Sequence, residues 1–159
     1  MTKVNRNLSS TQLTLLVLLR LSIGWHFFYE GLIKLLNPGW TSVGYLMDSK
    51  GFMSGFFQSF AANPTTIQVV DFLNIWGLIA IGLGLILGAF TKIAKIAAIL
   101  LLSFYYLSHP PFLSLEYLIP TEGNYFIINK TLIELLAIAV LLVFPTSKIL
   151  GFDRLIFKK

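Results

Sequence analysis

Residues 13–36 read LTLLVLLRLSIGWHFFYEGLIKLL. The run is long and apolar enough to cross a bilayer, which takes roughly 20 residues. Yet it carries Arg20, His26, Glu30 and Lys34. At about 100° per residue, Arg20, Ile23, His26, Phe27, Glu30, Gly31 and Lys34 fall within an arc of roughly 140°. A polar stripe on one face of a span points into a bundle, because ionisable groups at membrane depth must be paired, wetted or enclosed. Asn37-Pro38-Gly39 ends the run, since proline cannot continue the hydrogen-bond ladder.

Three further spans follow, at about 71–91, 93–111 and 126–145. The segment 41–64 between the first two contains GFMSGFFQSF at 51–60. That stretch is too short to cross but apolar enough to lie in the interface or re-enter it. Gly77, Gly82, Gly84 and Gly88 give the second span a small-residue face. Gly84 and Gly88 have the GxxxG spacing that lets helix backbones meet closely in lipid. The tail from Thr146 to Lys159 is amphipathic and basic and is expected along the surface. The expected architecture is all-α: a polytopic four-transmembrane-helix bundle, one domain over 1–159, with an interfacial or re-entrant segment between helices 1 and 2.

Composition agrees. Of 159 residues, 56% are hydrophobic and 12% charged, against about 25% charged in soluble domains. Mean hydropathy is +0.79. With no cysteine, the chain has no disulfide, thiol nucleophile or cysteine metal site. The net charge of +5 sits in short loops beside spans, with no basic-aromatic patch of the kind that binds nucleic acid. The polar start, with Lys3 and Arg6, imitates a signal peptide, but the apolar run continues past Arg20 and no small-residue cleavage site follows, so it reads as a retained first span.

Charge also orients the chain. Lys3, Arg6, Lys92, Lys95, Lys148, Arg154, Lys158 and Lys159 share one side with Asp153. Lys34, Lys50 and Lys130 lie on the other, with Glu30, Asp48, Asp71, Glu116, Glu122 and Glu134. The bias predicts cytoplasmic termini and a periplasmic acidic end in a bacterial cytoplasmic membrane.

Antiparallel spans put His26, Glu30, Asp71, Asn74, His109, Asn129, Lys130 and Glu134 in the same outer half. Three readings of this cluster are open. Imidazole and carboxylate suit divalent ions, though the spacing matches neither HExxH nor the paired ExxH helices of di-iron bundles, and no metal is expected. A second reading has the groups satisfy one another as interior hydrogen-bond partners. Or they handle a ligand and its protons. Glu30 stands i, i+4 from both His26 and Lys34. Arg20 enters from the other side and is expected to snorkel or pair. Trp25, Trp40, Trp76, Tyr105, Tyr106 and Tyr125 suit an aromatic belt or the walls of a pocket for a flat ring. A quinone site needs such walls, donors at the carbonyl oxygens and a carboxylate for the proton.

At these residues the chain resembles the DoxX family, which includes membrane subunits of thiosulfate:quinone oxidoreductases. The series is Arg20-Leu21, Gly24, Glu30-Gly31, Lys34-Leu35, Gly82-Leu83-Gly84, Leu87 to Thr91, Pro110-Pro111, Glu122-Gly123-Asn124 and Asn129-Lys130. It runs through most of the chain from Arg20 to Phe152. The resemblance implies a four-helix bundle in the cytoplasmic membrane. It also implies electron transfer to quinone, with a partner subunit that oxidises a sulfur compound.

The expected function is a quinone-associated membrane redox subunit with no covalently bound cofactor. Its expected site is His26, Glu30, His109 and Glu134, walled by Trp40, Tyr105 and Tyr106. Arg20, Lys34 and Lys130 are the supporting charges. Its expected partners are the bilayer and another membrane or periplasmic protein. The alternatives are a non-catalytic accessory or scaffold subunit of an envelope complex and, less favoured for want of an inverted repeat, a small-solute transporter.

Overall fold

The computed structural model describes residues 8–112, 115–118 and 126–157. Lys3, Arg6, Glu122, Gly123, Asn124, Tyr125, Lys158 and Lys159, all used above, lie outside the described residues.

The first helix, α1 (Ser10–Leu36), begins earlier than its apolar run because Ser9 and Gln12 form a reciprocal capping box. It stops at Asn37, before the proline. Two short helices follow, α2 (Val43–Met47) and α3 (Ser54–Ala62). They form the segment expected between the first two spans. Next comes α4 (Pro64–Leu87), which starts well before the expected Asp71. Asn63 caps the amides of Thr65 and Thr66, and Pro64 takes the first-turn position where its missing N–H costs nothing. Gly88 ends α4 in the left-handed conformation, φ 67°. It is followed by α5 (Thr91–Ser108), which stops just before Pro110-Pro111, and by α6 (Lys130–Val143), capped by Asn129. A 3-10 turn (Thr146–Lys148) and α7 (Asp153–Ile156) complete the described chain.

Helices α1, α4 and α5 are long and apolar enough to cross a membrane. The fourth, α6, is shorter than the expected 126–145. Its 14 residues span ~21 Å, less than the ~30 Å of a hydrocarbon core. Asn129 caps its start, and Phe126 before it has a positive φ that no helix accepts. The chain is thus an all-α membrane protein with α6 packed beside three spanning helices. α1 lies along α4, and α5 packs on both α4 and α6. Ile23, Phe27, Leu78, Ile81, Leu85, Ala98, Leu102, Ile138 and Leu141 fill the centre.

The tightest seam is α1 on α4. A Cβ added at Gly82 would lie 2.4 Å from the Phe28 amide nitrogen, and one at Gly31 2.9 Å from the Ile79 amide nitrogen. Gly24, Gly31 and Gly82 therefore make the close approach. The Gly84–Gly88 pair does not: Gly88 serves as the α4 cap and packs on Gly151, and a Cβ at Gly77 would meet nothing within 4 Å.

Candidate functional site

Both ends of the bundle hold polar side chains. The end with the α1–α2 and α5–α6 connections is termed here the loop end, and that with residues 146–157 the tail end.

Near the loop end, a cleft of about 190 Å³ opens among α1, α4, α5 and α6. His26, Phe27, Glu30 and Lys34 line it from α1, and Leu78 from α4. Leu102 and Tyr105 line it from α5, and Lys130, Thr131 and Glu134 from α6. The i, i+4 register puts His26, Glu30 and Lys34 on one face of α1, and the same spacing aligns Lys130 and Glu134 on α6.

Two ion pairs organise it. His26 Nδ1 stands 2.8 Å from Glu134 Oε1, joining α1 to α6. Lys34 Nζ donates to Glu30 Oε2 at 3.2 Å and sits 5.5 Å above the Trp40 ring. Glu134 is enclosed, with 12% of its side chain exposed, whereas His26 keeps 42% and Glu30 47%. A bound carboxylate beside a reachable imidazole is the arrangement of an orienting group and a proton carrier. Tyr105 Oη lies 2.6 Å from Asn74 Nδ2, so α4 fixes the phenol at the cleft wall.

The structure thus brings together His26, Glu30, Lys34, Tyr105, Lys130 and Glu134. It places three other residues of the expected site elsewhere. Trp40 lies above Lys34 rather than in the cleft. Tyr106 turns its hydroxyl to the Ile127 carbonyl. His109 follows the end of α5 and is sandwiched between Tyr45, at 3.9 Å between ring centres, and Tyr117, at 4.8 Å. Its Nδ1 meets Ser108 Oγ at 3.1 Å. Burial pushes the His109 imidazole down to about 4 and raises the phenols of Tyr45 and Tyr117, the latter to about 12. His109 is therefore a neutral stacking ring at pH 7. Asp71, also counted in the outer cluster, accepts from the Thr41 hydroxyl and the Ser42 amide and hydroxyl, anchoring the start of the α1–α4 connection.

Arg20 belongs to a second cluster, at the tail end, away from the cleft. Its guanidinium donates to Thr146 Oγ1 at 3.2 Å and the Leu150 carbonyl at 2.8 Å. Lys95, expected at the turn where the third span begins, is 2% exposed and donates to the Leu141 carbonyl. Asp153 accepts from the Thr91 amide and hydroxyl, and Thr91 also meets Ser147. A residue far along the chain thus caps the start of α5, which has no side-chain cap of its own. Burial opposes ionisation of Asp153, but the hydrogen bonds from Thr91, Ser147 and the Phe90 backbone hold its carboxyl below the usual value. Sequence reasoning missed this cluster and the aromatic cage of His109. A buried Lys95 is signalled only by its position inside an apolar run; Tyr117 carries no such signal.

No curated protein and no solved structure matches the chain. The DoxX family model matches residues 15–110, more than half of the chain, from within α1 to just past the end of α5. The chain is a member of the DoxX family.

Proposed function

We propose that the cleft receives a quinone headgroup and that the protein is the membrane subunit of a quinone-linked redox system. One observation carries this reading: a chamber of ring size in which a His–Glu pair and a phenol face apolar walls. An apolar cavity of about 150 Å³ takes a benzene molecule, so about 190 Å³ suits a single substituted ring. Phe27, Leu78 and Leu102 supply its flat and aliphatic walls.

The chemistry follows from the contacts. Reduction of a quinone to a quinol consumes two electrons and two protons. With no cysteine, the chain offers no dithiol for the electrons, so they come from a partner subunit that oxidises a sulfur compound, as the family resemblance implies. The residues of the cleft handle the protons. Glu134 holds His26 by Nδ1 and stabilises its imidazolium, whose Nε2–H then donates to one quinone oxygen. Tyr105 offers a hydrogen bond on the same face, and Glu30 and Lys130 line the route by which the His26 imidazole regains a proton from water, so that it delivers the second one. The charge bias supports a reading in which this end faces the periplasm of a bacterial cytoplasmic membrane.

The test is to purify the protein from native lipid, extract it, and measure binding of added quinone in nanodiscs. Co-purifying quinone is expected, with binding weakened at least tenfold by Glu134→Leu in a protein that still folds. A folded wild type that neither carries nor binds quinone refutes the proposal.

A further inference from the structure

The tail end carries a surface of its own, at the opposite end of the bundle from the cleft. Residues 146–157 are locked onto the α4–α5 turn. The Phe152 amide donates to the Leu87 carbonyl and the Asp153 amide to the Gly88 carbonyl, bonding groups that the end of α4 leaves without a helical partner. Gly151 packs so closely there that a Cβ on Gly88 would stand 2.7 Å from the Gly151 Cα. The segment is therefore held in one orientation, and the fold sets which side it turns outward.

That side is apolar and basic. Leu150, Phe152, Leu155, Ile156 and Phe157 are exposed. So is Phe90, whose ring stands edge-on to Phe157 at 6.2 Å between centres. Phe90 holds a left-handed backbone, φ 49°, which a bulky residue adopts only at a cost, yet its ring lies outside the core. Lys92, Lys148 and Arg154 are exposed around the same segment. Among the described residues no carboxylate pairs with them, and Asp153, the one acid described at this end, is engaged by Thr91. The depth is that of a membrane surface. Asp71 marks the loop end of α4 through its bonds to Thr41 and Ser42. From Asp71 to Gly88 the helix rises ~26 Å, close to the ~30 Å of a hydrocarbon core.

We infer that this surface binds anionic phospholipid headgroups in the leaflet that the tail end faces. Lys92, Lys148 and Arg154 meet the headgroup charge, and the apolar side chains enter the upper acyl region. Exposed Ile93, in the first turn of α5, continues the apolar face onto a span, so the occupant has an acyl part as well as a charge.

The test uses the full chain in a neutral detergent and two short-chain lipids, phosphatidylglycerol and phosphatidylcholine, with binding followed by native mass spectrometry. A basic residue near an anionic surface is worth about fivefold in affinity, so wild type should bind phosphatidylglycerol about tenfold or more tightly than phosphatidylcholine. Lys92→Gln, Lys148→Gln and Arg154→Gln should each weaken phosphatidylglycerol by about threefold to fivefold and leave phosphatidylcholine unchanged. The triple variant should bind the two lipids alike, with an unfolding midpoint that shows it folded. Lys50→Gln, at the loop end, is the control and should keep the preference. Equal binding of the two lipids by wild type, a preference that survives the triple variant, or an equal loss in Lys50→Gln overturns the inference. So does displacement of phosphatidylglycerol by inorganic phosphate at matched ionic strength, which would assign the cations to a free anion instead.

Discussion

Gly82→Ala should loosen the whole bundle, although it adds one methyl group. The added Cβ would lie 2.4 Å from the Phe28 amide nitrogen, 2.6 Å from Phe28 Cβ and 2.7 Å from the Gly24 carbonyl oxygen. Carbon contacts settle at about 3.5–4.0 Å, so α1 must retreat by roughly 1 Å. Two of the three opposing atoms are backbone, and no rotamer change moves them. Overpacking costs about 1–3 kcal/mol, and a rigid obstacle favours the upper part of that range. Replacing glycine by alanine in a helix returns about 1 kcal/mol. The net expectation is a loss of about 1–2 kcal/mol. Gly77→Ala is the control, because its Cβ meets nothing within 4 Å. It keeps the propensity gain alone, about 0.5–1 kcal/mol. Unfolding in mild detergent, followed by tryptophan fluorescence, reads both. At about 2–4 °C per kcal/mol for this size, Gly82→Ala should melt several degrees below wild type and Gly77→Ala slightly above it. Identical midpoints for the two variants would refute the α1–α4 packing described here.

Three other outcomes follow from the contacts. A double-mutant cycle of His26→Leu and Glu134→Leu should give a coupling of about 1 kcal/mol, between the ~0.6 average and ~1.7 maximum for interhelical bonds in lipid; coupling indistinguishable from zero would mean that the pair does not form. Asp153→Ala should cost about 1–2 kcal/mol through loss of the α5 cap, measured by unfolding midpoint. Because the folded Asp153 carboxyl titrates below its unfolded value, the cost should stay level from neutral pH down to about pH 5 and shrink as pH falls below about 4, where both states become protonated; a gap that widens in acid would contradict the assignment. Nitrogen NMR of labelled histidine should show His109 neutral at pH 7 and still neutral at pH 5, with its midpoint near 4; titration near the ordinary 6.5 would mean that the ring is not enclosed by Tyr45 and Tyr117.

The helices and the height of the cluster could be read from sequence because both depend on local spacing. His26, Glu30 and Lys34 share a face of α1 by periodicity alone, and counting along antiparallel helices sets Glu134 level with His26. Direction around the bundle was not legible in the same way. Trp40, Tyr106 and His109 sit at the right height but leave the cleft for different reasons. Trp40 and His109 lie beyond helix ends, where turns set their direction, and Tyr106 points toward the Ile127 carbonyl. Of the four glycines expected to form the close face of α4, Gly82 makes the contact with α1, while Gly84 and Gly88 meet other neighbours and Gly77 meets none. GxxxG spacing identifies small residues without saying which of them a partner reaches, and Gly82 meets Gly24 on α1. Lys95 stands at the turn where the expected third span begins, and Asp153 falls in the tail expected along the surface. Their burial depends on residues 146–157 folding back over the α4–α5 turn, a contact between distant parts of the chain.

The contrast between the two ends favours the loop-end cluster over the tail-end one as the proposed site. Both contain cations and carboxylates inside a helix bundle, so composition alone does not separate them. At the tail end Arg20, Lys95 and Asp153 are 3%, 2% and 6% exposed. Arg20 and Asp153 hold residues 146–157 against the bundle, and Lys95 binds the last turn of α6. A ligand could reach them only by detaching the segment they retain, and their bonds are spent on keeping it in place. At the loop end the charges are half-open. Glu134 is enclosed and holds His26, but His26 and Glu30 still present much of their surface, and the space before them remains unfilled by side chains. Buried charges whose bonds run to a retained segment fasten a fold, whereas charges left reachable keep bonding capacity that the fold does not use, at some cost in stability. That cost is expected where a partner molecule completes the bonding. The cleft between α1 and α6 meets this condition, and the tail-end cluster does not.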